Sequence, residues 1–358
     1  MIKILGDIHF GVRKNSALFH TILMESLDWF MKTVKKTDSV VILGDIFDSR
    51  SSVDFKILND AIGFFNTLSS KCKEVYILVG NHDLYYKENE LMNVNCRFLE
   101  SKNIRIVYEM GVLNIQDKQC LFIPWIDSPE SKSDALNQLI HPHDIVFGHL
   151  DTVGLYGAKV QDELMFALDD FGPNKNIVSG HFHKRSDRGD IKYIGAVINQ
   201  TFNDVGDTKG YMTFNKKNEI KFFEGICPKF EYITIPNSTA FLKGFELSSD
   251  TEKEAIKARI NGNIIKLILN EYGGENDELF KIFQGMTPLE ISVTYNRVSF
   301  EEEVEGEEFS GFDNKSEILD IIFEYVVKVE HKLPEGVSQK DINTLITKKH
   351  NEFKSLAV

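Results

Sequence analysis

The stretch Val40-Val41-Ile42-Leu43-Gly44-Asp45-Ile46-Phe47-Asp48 decides how this chain is read. Apolar residues and a glycine lead to a carboxylate, which is how a strand buried on both faces delivers a charged group to the end of a sheet. The same grammar recurs four times. Residues 1–6 lead into Asp7 and His9, and residues 75–80 into Asn81, His82 and Asp83; residues 145–148 lead into His149, and residues 177–180 into His181 and His183. Five strand ends thus offer two Asp, one Asn and four His as ligands: Asp7, Asp45, Asn81, His9, His149, His181 and His183.

In an extended segment residues i and i+2 point to the same side, so Asp7 with His9, and His181 with His183, each present two side chains to one place. A mixed carboxylate and imidazole set suits Mn, Fe or Zn better than Ca or Mg. With Asp45 bridging, two ions would stand about 3.5–4 Å apart, the separation used to clamp a phosphoryl group. The expected chemistry is phosphoester hydrolysis. Its leaving oxygen needs a proton, and His82, with Asp83 orienting the imidazole, is the expected donor. Asp48 is read as a helix cap or as a group supporting the ligands.

Outward from these ends the chain alternates strands and helices. Apolar residues at near-helical spacing predict helices over residues 16–36 and 53–68, with shorter ones over 90–99, 128–140 and 162–168. Strands are expected over 104–108, 112–115, 120–125, 193–198, 210–214 and 220–225. The expected fold class is α/β, a two-sheet β-sandwich flanked by helices. Four segments follow: a catalytic domain (1–226), a small strand-helix-strand-helix-strand domain (227–298), an acidic linker (299–314) and a C-terminal helical module for docking a partner (315–358). The linker contains Glu-Glu-Glu-Val-Glu-Gly-Glu-Glu at 301–308, a run too charged to bury a core.

Composition bounds the rest. The chain has 358 residues, 42% hydrophobic, with 27 Phe, enough for a substantial core. No run of about 18 apolar residues and no leader pattern is present, so neither a membrane span nor secretion is expected and a cytoplasmic location is. Cys72, Cys96, Cys120 and Cys227 form no C-x-x-C pair and are read as reduced thiols. The net charge of −13 argues against gripping nucleic acid by overall field. Residues 299–358, however, hold 14 Asp and Glu against 7 Lys, which accounts for 7 of those 13 charges.

Taken together, Asp7-x-His9, Gly44-Asp45-x-x-Asp48, Gly80-Asn81-His82-Asp83, Gly148-His149 and Gly180-His181-x-His183 resemble the calcineurin-like metallophosphoesterase superfamily. Within it the chain looks like the Mre11/SbcD nuclease family, and most like its members from T4-type phages; Leu-Gly-Asp-x-His at the start and Ile-Pro-Trp at 123–125 support that narrower likeness. The resemblance implies one metal held by Asp7, His9, Asp45 and His183, and a second by Asp45, Asn81, His149 and His181, with two Mn ions favoured. It also implies DNA as substrate, a capping role for the second domain, a homodimer formed by the helices after Asp48 and after Asp83, and docking of the C-terminal helices on a Rad50/SbcC-type ATPase. Protein phosphatases of the superfamily continue Gly-Asp-x-x-Asp with Arg-Gly, whereas Asp48 precedes Ser49-Arg50-Ser51, which disfavours that alternative. A non-catalytic scaffold would not need every ligand and His82. His20, His141, His143, His331 and His350 lie off the strand ends and are read as structural.

Overall fold

The computed structural model describes residues 1–85, 94–153, 163–270 and 275–295. The chain divides into two units, Met1–Arg297 and Val298–Val358. The linker and helical module expected beyond residue 298 lie outside the described residues.

Two mixed six-stranded sheets build the body. In the first, β1 (Ile2–Leu5), β2 (Ser39–Ile42), β3 (Glu74–Leu78) and β4 (Ile104–Val107) run parallel, and β11 (Gly210–Phe214) and β12 (Ile220–Glu224) pair antiparallel beside β1. The second has the order β5 (Gly111–Ile115), β6 (Lys118–Ile123), β7 (Ile145–His149), β8 (Ile177–Gly180), β10 (Ile191–Tyr193), β9 (Ser186–Arg188), with β6, β7, β8 and β10 parallel.

Burial on both faces explains the near-continuous apolar strands. Ile2, Ile4, Val41, Leu43 and Leu78 pack inward against Phe122, Phe147 and Val178 of the opposite sheet. On the outer face Val40, Ile42, Val75 and Ile77 meet α2 (Ala17–Thr33) and α3 (Phe55–Lys71) through Leu23, Leu27, Phe30, Ala61, Phe65 and Leu68. Each such fully buried Val, Leu, Ile or Phe side chain contributes about 1.5–3 kcal/mol. The Asp54 carboxylate caps α3 by accepting from the Lys56 N–H. The second sheet is covered by α4 (Pro129–Leu139), capped by Ser128 with Pro129 in its first turn, through Ala135 and Leu139. A short turn, α1 (Val12–Asn15), joins β1 to α2.

A third, parallel sheet is formed by β13 (Phe230–Ile235), β14 (Ile264–Leu269) and β15 (Glu290–Tyr295). Ile235, Ile265, Leu267 and Leu269 pack against α5 (Ser238–Leu247), α6 (Asp250–Ile260) and α7 (Glu275–Gly285). Phe230 and Ile264 reach into the main core, Phe230 lying 4.8 Å from Phe202 and 6.1 Å from Phe19 between ring centres.

Four local expectations are corrected. The strand over 193–198 ends at Tyr193, because Gly195 turns the backbone at φ 82°; the Ala196 and Val197 N–H groups then donate to the carbonyls of His183 and Asp7. This buried segment therefore braces two ligand loops instead of extending a sheet. Within 90–99 the described part holds only a 3-10 turn, Arg97–Leu99, and near 162–168 the helical element is a 3-10 turn at Leu168–Phe171. Helix α5 was not expected; Asn237 caps it, and Phe241, Leu242 and Phe245 form its packed face. No described helix is long and apolar enough to cross a membrane.

Candidate metal centre

The carboxyl ends of β1, β2, β3, β7 and β8 converge, and an open crevice at such ends is where sheets of this kind place ligands. The chain makes abrupt turns there. His9, Asp45 and His181 have φ of 53°, 51° and 85°, a left-handed conformation that costs a non-glycine residue roughly 1–3 kcal/mol and clusters at functional sites. The glycines of Gly-Asp and Gly-Asn are needed for close approach. A Cβ on Gly80 would lie 2.3 Å from Asp45 Oδ1, and one on Gly44, itself at φ 101°, would lie 2.7 Å from the Gly80 nitrogen.

All seven residues expected as ligands come together, with Asp45 at the centre. Asp7, His9 and His183 form one compact group of donor atoms, and Asp7, Asp45 and His149 another. His9 Nε2 and His183 Nε2 stand 2.9 Å apart, and Asn81 Oδ1 lies 3.0 Å from both His149 Nε2 and His181 Nδ1. Asp45 Oδ2 is 3.7 Å from His9 Nε2 and 3.5 Å from His149 Nε2. The outer atoms are held by the backbone: His149 Nδ1 donates to the Leu43 carbonyl at 2.6 Å, and the Asp7 carboxylate accepts the His181 N–H. Such bonds aim an imidazole's remaining nitrogen into a metal site.

The electrostatics fit a divalent cation. Burial pushes Asp7 up to about 7 against the pull of His149, and Asp83 up to about 7 with help from the Asp45 charge. Burial drives His9 and His181 down to about 3 and lowers His183, leaving their nitrogen lone pairs free. Burial opposes charge on both Asp45 and His149, but their mutual attraction overturns it, holding Asp45 below the usual carboxylate range and raising His149 to about 9. The His149 proton thus sits between buried carboxylates where a cation would serve them better. His9 Nδ1 is buried without a hydrogen bond, and the mixed nitrogen and oxygen donor set suits a borderline divalent ion.

One expected role changes. Asp83 does not orient His82. Its fully buried carboxylate accepts the backbone N–H groups of Asp45 (2.8 Å), Ile46 (2.9 Å) and Gly80 (2.9 Å), fixing the turns that carry Asp45 and Asn81. His82 is held instead by the Asp48 carbonyl, which accepts from its Nδ1, and its own N–H donates to Asp45 Oδ1 at 2.8 Å. The Asp48 carboxylate lies 3.8 Å from His9 Nδ1 and groups with His9 and His82.

Sequence reading missed two supports. Trp125 stands beside the centre, its ring 5.0 Å from that of His181 and 6.1 Å from that of His149; as part of Ile-Pro-Trp it carried a likeness but no role. Buried Lys209 donates to the His183 carbonyl (2.6 Å), Asp204 (3.1 Å) and Asp207 (2.8 Å). The spacing Asp204-x-x-Asp207-x-Lys209 was its only signal. Of the histidines read as structural, His20 pairs with Asp60 at 2.7 Å and His143 with Asn174 at 3.2 Å, while His331 and His350 lie outside the described residues.

Comparison with known proteins agrees with this geometry. The chain is 26% identical over 241 residues to exonuclease subunit 1 of Enterobacteria phage T4, an alignment covering 66% of this chain and 68% of that protein. It is 24% identical over 291 residues to a protein of Invertebrate iridescent virus 3 provisionally named phosphoesterase 078R, covering 76% and 78%. Residues 1–185, more than half of the chain and the part that supplies all seven donors, match the calcineurin-like phosphoesterase model. The chain belongs to the calcineurin-like phosphoesterase family, whose members use a pair of divalent metal ions.

Proposed function

We propose that the chain is a Mn-dependent DNA nuclease subunit, acting as a double-strand exonuclease and single-strand endonuclease in break processing and recombination. The observation that carries this reading is the convergence of seven nitrogen and oxygen donors on Asp45, in a chain similar to an exonuclease subunit. Asp7, His9, Asp45 and His183 would hold one ion and Asp45, Asn81, His149 and His181 the other. Such a pair supplies a nucleophile at neutral pH and neutralises charge developing on the phosphoryl oxygens.

The protein's own groups do the remainder. Asp83 locks the Asp45 turn, so Asp45 would hold the ions without rearranging, and preorganisation of this kind is a large part of electrostatic catalysis. His82 Nδ1 is tied to the Asp48 carbonyl, so Nε2 is the atom that gives a proton to the leaving oxygen. Asp48, near His9 and His82, tunes that proton transfer.

The remaining assignments follow the family likeness. The β13–β15 sheet and its helices would cap the DNA groove, α3 and the segment after Asp83 would form a homodimer, and residues 315–358 would dock on a Rad50/SbcC-type ATPase. A partner that brings DNA affinity accounts for a nuclease subunit with net charge −13. The test is hydrolysis of linear double-stranded and single-stranded DNA by the full chain with Mn, beside His82→Ala. Mn-dependent cleavage that falls by about 10²–10⁴-fold in the variant supports the reading. Cleavage of neither DNA, with or without the ATPase, refutes it.

A further inference from the structure

The two imidazoles assigned to the second ion are held in different ways. His149 is aimed by a hydrogen bond from its Nδ1 to the Leu43 carbonyl, which leaves Nε2 at 3.0 Å from Asn81 Oδ1. His181 presents Nδ1 to the same oxygen, also at 3.0 Å, but its Nε2 is 3.9 Å from the Asp151 carboxylate, beyond hydrogen-bond reach. The torsion that turns an imidazole is broad and roughly two-fold. Turning this ring over would put a carbon where Nδ1 stands, so its orientation decides whether His181 is a ligand at all.

Aromatic rings supply that orientation. Trp125 lies 5.0 Å from the His181 ring and 6.1 Å from the His149 ring, and Phe182 lies 4.9 Å from His181, separations at which aromatic pairs attract in defined geometries. The Trp125 N–H donates to the Val79 carbonyl at 2.9 Å, two residues before Asn81. Trp125 therefore joins the strand ends that carry Asn81, His149 and His181. The rings of His9 and His183 meet each other at 4.7 Å and, among the described residues, make no ring contact with Trp125. Trp125 also lines both an open cleft of about 780 Å³ and a cavity of about 40 Å³ that His149 shares. Removing the indole opens space beside His149 and His181 in which the His181 ring can turn.

We infer that Trp125 is the positioning residue of the second ion: its ring fixes the His181 imidazole with Nδ1 toward Asn81, and so sets the affinity of the group Asp45, Asn81, His149 and His181 but not that of the other group. The inference rests on the two-ion assignment proposed above and deepens it, naming the residue that makes the occupancy of one position separable from that of its neighbour.

The experiment strips the full chain of metal with EDTA, titrates it with Mn, counts the bound ions at equilibrium and follows the spin-coupled signal of a pair by electron paramagnetic resonance. Wild type is compared with Trp125→Phe, which keeps a ring, and with Trp125→Leu and Trp125→Ala, which do not. In the two ringless variants the second Mn should bind about 10–100-fold more weakly, the usual effect of losing a group that orients a metal ligand. The first Mn should bind as in wild type, which also reports that the variants are folded, and the coupled signal should appear only at correspondingly higher Mn. Trp125→Phe should recover most of the second ion's affinity. Equal weakening of both ions, unchanged binding of both, or a Trp125→Phe as weak as Trp125→Ala overturns the inference while leaving the two-ion assignment intact. A wild-type chain that binds one uncoupled Mn overturns that assignment and the inference with it.

Discussion

Replacing Asp83 separates two accounts of the Gly80-Asn81-His82-Asp83 turn. Three backbone N–H groups end on its buried carboxylate at 2.8–2.9 Å, two of them on Oδ2. In Asp83→Asn the amide oxygen can keep the two bonds at Oδ2, from Asp45 and Gly80, while the NH2 group faces the Ile46 N–H. One opposed buried donor costs about 1–3 kcal/mol, and loss of charge assistance on the other two adds about 1 kcal/mol, giving about 2–4 kcal/mol. For the unit Met1–Arg297 that lowers Tm by about 3–6 °C. Because the bracket sets the turn carrying Asp45, affinity for Mn should fall together with stability. The assay is thermal unfolding with and without Mn, alongside a Mn titration of the folded variant below its Tm. Were Asp83 the partner of the His82 imidazole, the variant would keep wild-type Tm and Mn affinity and lose only turnover; that result refutes the bracket.

Three other perturbations have defined outcomes. Gly80→Ala places a methyl 2.3 Å from Asp45 Oδ1 and 2.7 Å from His149 Cε1, so Mn-dependent phosphodiester hydrolysis should fall at least about 10²-fold, as expected when reacting groups shift by about an ångström. Lys209→Met leaves Asp204 and Asp207 buried without their cation, which should cost about 3–5 kcal/mol in chemical denaturation; a change below 1 kcal/mol would dismiss the pair. His149 has its folded-state value raised above that of the unfolded chain. Its stabilisation is present below about pH 6.5 and is lost as pH rises to about 9, so the metal-free protein should lose stability from about pH 6.5 to 9. Saturating Mn should abolish that slope by displacing the proton, which denaturation at pH 6.5, 8 and 9 with EDTA or Mn would reveal.

The strand ends were legible because burial on both faces writes itself as an apolar run, and each run stops at a glycine, whose missing Cβ at Gly44, Gly80 and Gly180 lets two ligand-bearing segments touch. What Asp83 does was not legible. Its three donors include two from a turn 37 and 38 residues away, and sequence proximity favoured His82. Residues 194–198 are as apolar as a strand, yet Gly195 alone diverts them beneath Asp7 and His183. Trp125 became a wall of the centre only once β6 lay beside β7, in one sheet with β8. Helix α5 carries a glycine, Gly244, within a short segment, which weakens its propensity, and packing against the third sheet outweighs that.

The measurement that tests the central claim most directly is the number and coupling of Mn ions bound by the full chain, read by equilibrium titration and electron paramagnetic resonance. A site bridged by Asp45 predicts two Mn per chain with the spin coupling of a pair about 3.5–4 Å apart, and loss of the coupled signal in Asp45→Asn. A single uncoupled Mn per chain, or a coupled pair indifferent to Asp45, would contradict it.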